Sequence, residues 1–330
     1  MDDLRICITG ASGYLARLLI SKLSRDEKIK FILGVDARKS GFYKKNLYEH
    51  LEDGELILDP LFRDILIRYK INMVVHLAWV FNPTHDTDYQ YRVDVLGTQN
   101  VFRAARAARV NKIVYAGSTT AYGQRPRLAD SCLYEHIDAR EIEQTAEGNG
   151  YLYSKHKAIV DRWIREEFDS VDANLKWVLI RGAIVAGHNT RNVVSQMASL
   201  PAMPMVAGYD PPMQFISEDD MAEILYLSVV KPIWGVFNAA ADGAVLYSDI
   251  IKILGKTRMP LPAAILYPAL KTLWSTHIIP FSPSILDLIR YPWVASSSKL
   301  KESLGCHFGF QFSYDSRESI EMLAEGLAAR

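Results

Sequence analysis

The run Leu4-Arg-Ile-Cys-Ile-Thr-Gly-Ala-Ser-Gly-Tyr-Leu-Ala16 constrains the fold of this chain more than any other feature. An apolar stretch leads into Gly10, Gly13 and Ala16 at fixed spacing, and a helical pattern follows. Strand, tight turn and helix are what that order predicts. Gly10 permits a turn that a side chain would obstruct. Gly13 lets the backbone approach a pyrophosphate at the helix N-terminus, and Ala16 keeps the helix close to the strand. Glycines also mark ordinary turns, so context decides. Here the triplet opens an α/β pattern, and it predicts a dinucleotide site.

The pattern continues through the first half. Leu4–Thr9, Phe31–Val35, Leu56–Leu58, Met73–Leu77 and Ile113–Ala116 are short apolar runs, as expected of parallel strands covered on both faces. Helical periodicity over Gly13–Ser24, Tyr91–Arg109 and Tyr151–Phe168 separates them, and another strand follows at Leu175–Arg181. Arg103, Arg106 and Arg109 recur along one helix and read as a solvated face. The fold class is therefore α/β, a Rossmann-type doubly wound parallel sheet. Residues 1–181 are expected to form the dinucleotide-binding domain. Residues 182–330, less regular and richer in proline, form a smaller substrate-binding part that returns some elements to the first.

Lys+Arg and Asp+Glu both number 38, so the whole chain gives no electrostatic case for nucleic acid or an anionic membrane. Cys7, Cys132 and Cys306 are widely spaced, which argues against a disulfide framework or a metal site. A reducing cytoplasm suits that pattern, and the first strand begins too close to Met1 for a secretory leader. The apolar stretch Leu261–Pro280 contains Pro262, Pro268, Lys271 and His277, which predicts short buried or surface helices rather than a membrane span.

Asp36 ends the second strand, where a carboxylate can accept hydrogen bonds from ribose hydroxyls. It would repel a 2′-phosphate, so NAD is expected. Arg38 and Lys39 keep NADP as the alternative. Tyr151 and Lys155 are four apart on one helix face, a spacing that lets an ammonium favour a phenolate. Ser118, at the end of the fifth strand, could bond the same substrate oxygen.

The order of Gly10/Gly13, Asp36, His76-Leu-Ala78, Ser118-x-x-x-Tyr-Gly123, Tyr151-x-x-x-Lys155 and Arg181 resembles the extended short-chain dehydrogenases, the NAD-dependent epimerase/dehydratase family. Gln214–Asp220, Gly235–Ala239 and Ser297–Gly305 resemble the family's later segments, so the likeness covers nearly the whole chain. It implies that Tyr151 is the acid/base and that Lys155 also binds the nicotinamide ribose. Ser118 would orient the reacting oxygen. Gly10, Ser12, Gly13, Tyr14, Leu15, Asp36, Asp59, Leu77 and Ala78 would hold the cofactor, with Asp59 at the adenine. Trp79, Phe81, Thr119, Thr120, Tyr122, Ile184 and Met213 would face the substrate. His76 is expected to pack at its strand end. A homodimer through the helices over Tyr91–Arg109 and Tyr151–Phe168 is implied by the same likeness.

Departures from the family narrow the chemistry. Thr119 and Thr120 stand where its dehydratases carry an Asp-Glu pair, so elimination of water lacks its acid and base. Met213 and Ile184 stand where its nucleotide-sugar epimerases place an arginine and an asparagine, and Arg290 is off the spacing of a second arginine. Asp94 replaces an asparagine of the fourth helix. With Trp79, Val80, Phe81, Val185, Met205 and Phe215, the expected rim is apolar. The function expected is NAD(P)-dependent hydride transfer at a secondary alcohol or ketone of an apolar small molecule. The alternative is a nucleotide-sugar 4-epimerase.

Overall fold

A computed structural model describes residues 3–39, 48–52, 55–81, 84–123, 151–168, 175–198, 200–279, 281–292 and 294–329. Continuous apolar runs need cover on both faces, and the sheet supplies it. Strands β1 (Leu4–Thr9), β2 (Ile29–Asp36), β3 (Tyr48–Glu52), β4 (Met73–His76), β5 (Lys112–Ser118), β6 (Lys176–Gly182) and β7 (Gly235–Ala239) form one sheet. Its order is β3-β2-β1-β4-β5-β6-β7, and every pairing is parallel. The chain runs outward from β1 to β3, then returns to β4 on the other side of β1. That reversal opens a crevice at the carboxyl ends of β1 and β4, where such sheets bind ligands.

One face of the sheet is covered by α1 (Tyr14–Leu23), with Leu19 and Ile20 packed on Ile6 and Ile8. The other carries α2 (Phe62–Arg68), α3 (Thr98–Ala107) and α4 (Leu152–Phe168), whose Phe62, Phe102 and Ile164 share a core with Val74 and Ile113. Helix α5 (Glu218–Val230) joins the first layer through Ile224 and Leu225. The rest of the second half has its own cluster, including Met205, Met213, Phe215 and Leu323. The second half also contains helices α6 (Ala263–Ser275) and α7 (Ser316–Ala328).

Three local expectations change. Leu56–Leu58 is a single 3-10 turn rather than the third strand, which is Tyr48–Glu52. Three apolar residues fill one buried turn as readily as a short strand, and Asn100 pins this one by donating to the Ile57 and Asp59 carbonyls at 2.9 and 3.0 Å. The helical pattern over Tyr91–Arg109 starts earlier, at Thr87, and passes through a π-helical stretch, Arg92–Gly97, before α3. Of its arginines, Arg103 and Arg109 are exposed as a solvated face requires, while Arg103 also lies 5.3 Å from the Trp163 ring and the half-buried Arg106 4.9 Å from Phe168, which ties α3 to α4. Within Leu261–Pro280 the described residues form one helix, α6, which tolerates Pro268 in its interior. Among the described residues no helix is long and apolar enough to cross a membrane. Cys132 lies outside the described residues.

Candidate active site

The glycine turn is held from both sides. Gly10 and Ala11 donate to the Val35 carbonyl at 2.8 and 3.3 Å, and Gly13 donates back to Gly10 at 3.0 Å. Gly10 has φ +72°, and a β-carbon there would stand 2.7 Å from the Ala78 nitrogen and 2.8 Å from the Leu77 carbonyl carbon. Those contacts are backbone and cannot give way, so only glycine fits. Leu77 and Ala78 are anchored in turn by Thr9, through its carbonyl at 3.1 Å and its hydroxyl at 3.3 Å. Gly13 caps α1 without any side-chain cap, so no capping side chain satisfies the first-turn N–H groups of Tyr14 and Leu15. Asp36 accepts from the Ser12 and Arg38 amides, each at 3.0 Å. The Ser12 hydroxyl is buried with no partner. A cradle that excludes a β-carbon, an uncapped helix start and an orphaned buried hydroxyl fit a dinucleotide. Asp59 is half-buried and accepts from the Leu61 amide at 2.8 Å.

At the end of β5 the geometry departs from expectation. The sequence Tyr151-Leu-Tyr153-Ser-Lys155-His-Lys157 contains two overlapping Tyr-x-x-x-Lys pairs. Ser118 hydrogen-bonds Tyr153, not Tyr151. The Tyr151 ring lies beside it, 6.1 Å away between centroids, and Trp79 and Phe81 each approach the Tyr153 ring at 5.9 Å. Lys157 is the lysine that reaches inward. Its ammonium nitrogen donates to the Tyr115 hydroxyl at 3.1 Å and the Ala116 carbonyl at 2.8 Å, and it sits 3.5 Å from the centre of the Trp79 ring. Lys155 is half-buried one turn after Tyr151.

Burial governs the electrostatics here. It lowers Lys157 to about 7, with Asp94 pulling the other way. It raises the Tyr153 phenol above the usual range, which the Ser118 hydrogen bond partly offsets, and it raises Tyr151 to about 12. His76 drops to about 3, through burial first and the Lys157 charge second, so its ring is neutral. It bridges the Thr9 and Thr98 hydroxyls at 2.6 and 2.9 Å, the packing role expected of it.

Asp94 acquires a structural account. Fully buried, it accepts from the Val80 amide at 2.8 Å and lies 3.0 Å from His156 Nδ1. It therefore ties the loop after β4, which carries Trp79, to helix α4. Arg181 forms a second anchor, donating twice to Asp161 at 2.7 Å and once to the Tyr122 hydroxyl at 2.6 Å. Sequence reasoning missed Tyr153, Lys157, His156 and Asp161. The second Tyr-x-x-x-Lys spacing was the available signal.

The substrate side is also revised. Tyr122 is 1% exposed, and its hydroxyl is taken by Arg181 and by Asn238 at 3.0 Å, so it is core behind the site. Met213, Met205 and Phe215 likewise pack in the core of the second half. Thr119 is buried, and its hydroxyl faces the Gly182 carbonyl at 3.4 Å. Ile184 is half-buried on a strand paired with Phe215–Ser217. What does gather is Tyr153 and Thr120 at Ser118, with Trp79, Phe81 and Tyr151 around the Tyr153 ring. The Trp79 Nε1 and Thr120 Oγ1 atoms are buried without partners, which costs roughly 1–3 kcal/mol each until a ligand or water bonds them.

Against known proteins, the model of the NAD dependent epimerase/dehydratase family matches residues 6–240. The chain belongs to that family. Membership makes it an NAD-dependent enzyme, in agreement with the cradle. An uncharacterized protein of Mycobacterium tuberculosis is 20% identical over 307 residues, covering 91% of this chain and 79% of its own length. An L-arabinose 1-dehydrogenase (NAD(P)(+)) of Haloferax volcanii is 31% identical over 137 residues, 41% of this chain and 48% of that one. Among solved structures, a UDP-glucose 4-epimerase with UDP-glucose from Thermotoga maritima superposes with TM-score 0.71 at 16% identity, covering 99% of each chain. That likeness speaks to the fold, a Rossmann-type sheet with a smaller second part.

Proposed function

We propose that this protein transfers hydride between nicotinamide and a secondary alcohol or ketone carbon of an apolar small molecule. The observation that carries the reading is the meeting of the Ser118 and Tyr153 hydroxyls at the carboxyl end of β5, walled by Trp79 and Phe81. Bound NAD supplies the hydride acceptor or donor. Ser118 orients the reacting oxygen and Tyr153 exchanges its proton. A phenol raised by burial stays protonated at neutral pH, which suits donation to a developing alkoxide. Lys157 is a positioning residue: by holding Tyr115 and Ala116 it fixes the strand end that presents Ser118. Tyr151 and Lys155, the pair first expected to do this chemistry, flank it.

Gly10, Ser12, Gly13, Tyr14, Leu15, Leu77 and Ala78 would hold the pyrophosphate and nicotinamide side, and Asp36 and Asp59 the adenosine. Asp36, already facing the turn, favours NAD over NADP. Thr119 and Thr120 carry no carboxylate, so dehydration is outside this reading. Phe81 is 52% exposed beside Tyr153, an apolar entrance. A homodimer through the helices over Tyr91–Arg109 and Tyr151–Phe168 belongs to the same reading, with Tyr91 and Leu96 each 42% exposed on the first of them.

One observation favours a nucleotide-sugar 4-epimerase instead. The Arg290 guanidinium has a buried Nε without a partner beside Tyr209, which its other nitrogen bonds at 2.8 Å. A diphosphate could use it. The test is a panel of apolar ketones, secondary alcohols and nucleotide sugars, scored for net change in NADH and separately for inversion. Net NADH turnover with apolar substrates is expected. Inversion of a nucleotide sugar without net redox change would replace this reading with the epimerase.

A further inference from the structure

Neutral overall, the chain is locally lopsided. Between Asp249 and Asp287 it carries Lys252, Lys256, Arg258 and Lys271 and no acidic residue at all. The two bracketing acids are engaged, Asp249 with Arg317 at 3.9 Å and Asp287 with the Tyr267 hydroxyl at 2.5 Å.

The same segment exposes apolar surface. In α6 only Leu266 is fully buried. Ala263, Tyr267 and Leu270 lean on the core, while Ile265 and Leu273 face outward at 56% and 37% exposure. Met259, on the strand leading into α6, is 40% exposed, and Ile278, just beyond the helix, is 68% exposed. Large aliphatic side chains held in water on α6 and its two flanks, in a segment that carries cations and whose one contacting carboxylate, Asp287, is taken up by Tyr267, form the pattern of an interfacial helix rather than a solvated one.

We propose that this face of α6 docks peripherally on an anionic phospholipid surface. Ile265, Leu273 and Ile278 enter the headgroup boundary, and Arg258 and Lys271 meet lipid phosphates. A second copy is the poorer occupant, because pairing the face with itself would bring two cationic surfaces together. The placement also has a use. His277 stacks on His85 at 4.0 Å, Trp274 lies 4.8 Å from the same ring, and His85 Nε2 bonds the Ile279 carbonyl at 3.1 Å. His85 follows Phe81, the residue at the apolar entrance, by four positions in the sequence. A substrate of low water solubility could then pass from the bilayer to the site.

Full-length protein is sedimented with vesicles of phosphatidylcholine alone and of equimolar phosphatidylcholine and phosphatidylglycerol. Partition onto the mixed vesicles is expected to exceed that onto neutral ones at least about tenfold and to fall with salt. Ile265→Asp with Leu273→Asp should abolish it while circular dichroism stays unchanged. Arg258→Glu with Lys271→Glu, confined to exposed charges, should remove the preference for anionic vesicles. Absence of partition onto the mixed vesicles would overturn the proposal. So would partition that neither double variant alters, or light scattering showing that the aspartate variants only dissolve a larger oligomer of a protein that ignores lipid.

Discussion

Lys157 illustrates how much one buried side chain can set. It lies 2% exposed between Trp79 and Tyr115, and burial holds it at about 7, far below its ordinary 10.5. Between those values the unfolded chain binds more protons than the folded one. Stability therefore rises with pH across that window. Lys112, lowered by burial to about 8, adds to the rise at the alkaline end. Lys157→Met keeps the volume and removes the titration. Urea unfolding across the window should show the slope just above pH 7 lost in that variant, with the Lys112 part retained. A variant with the wild-type slope would mean that Lys157 stays charged in the folded protein. The same residue scale explains the revised roles of Tyr122 and Met213. Their positions in the sequence suit a substrate rim, but Arg181 captures one hydroxyl and the second core captures the other side chain.

At the scale of elements, the glycine turn, Asp36 and Ser118 were legible because each is fixed within a short segment at a strand end. Gly10→Ala tests that account. Its β-carbon would press on the backbone of Leu77 and Ala78 from a left-handed conformation. A stability loss of roughly 1–3 kcal/mol and a fall of about tenfold in NAD affinity are expected, by denaturant titration and fluorescence. Unchanged affinity would show that the turn does not hold the cofactor. The rotation of α4 was not legible. Tyr151/Lys155 and Tyr153/Lys157 both satisfy helical spacing, and nothing local says which pair faces β5. The decision is long-range: Asp161, four residues after Lys157, is held by Arg181 from β6, and His156 is held by Asp94. Those anchors turn Tyr153 and Lys157 inward. Leu56–Leu58 failed for a related reason, since a short apolar run carries no period.

For the whole molecule, the parallel order with its reversal between β1 and β4 brings the turn, the β2 carboxylate and the β5 hydroxyl to one edge. Helix α4 supplies the tyrosine there. The second half contributes β7 to the same sheet, so it is built onto the first half rather than tethered to it. The most direct test of this arrangement compares Tyr153→Phe with Tyr151→Phe in the NADH assay on whichever substrate turns over, each variant checked for NAD affinity. Tyr153→Phe should lower kcat by roughly a hundredfold or more with NAD affinity unchanged, and Tyr151→Phe should retain most of the activity. The reverse ranking, with Tyr151→Phe inactive and Tyr153→Phe near wild type, would contradict the account and return the chemistry to Tyr151 and Lys155.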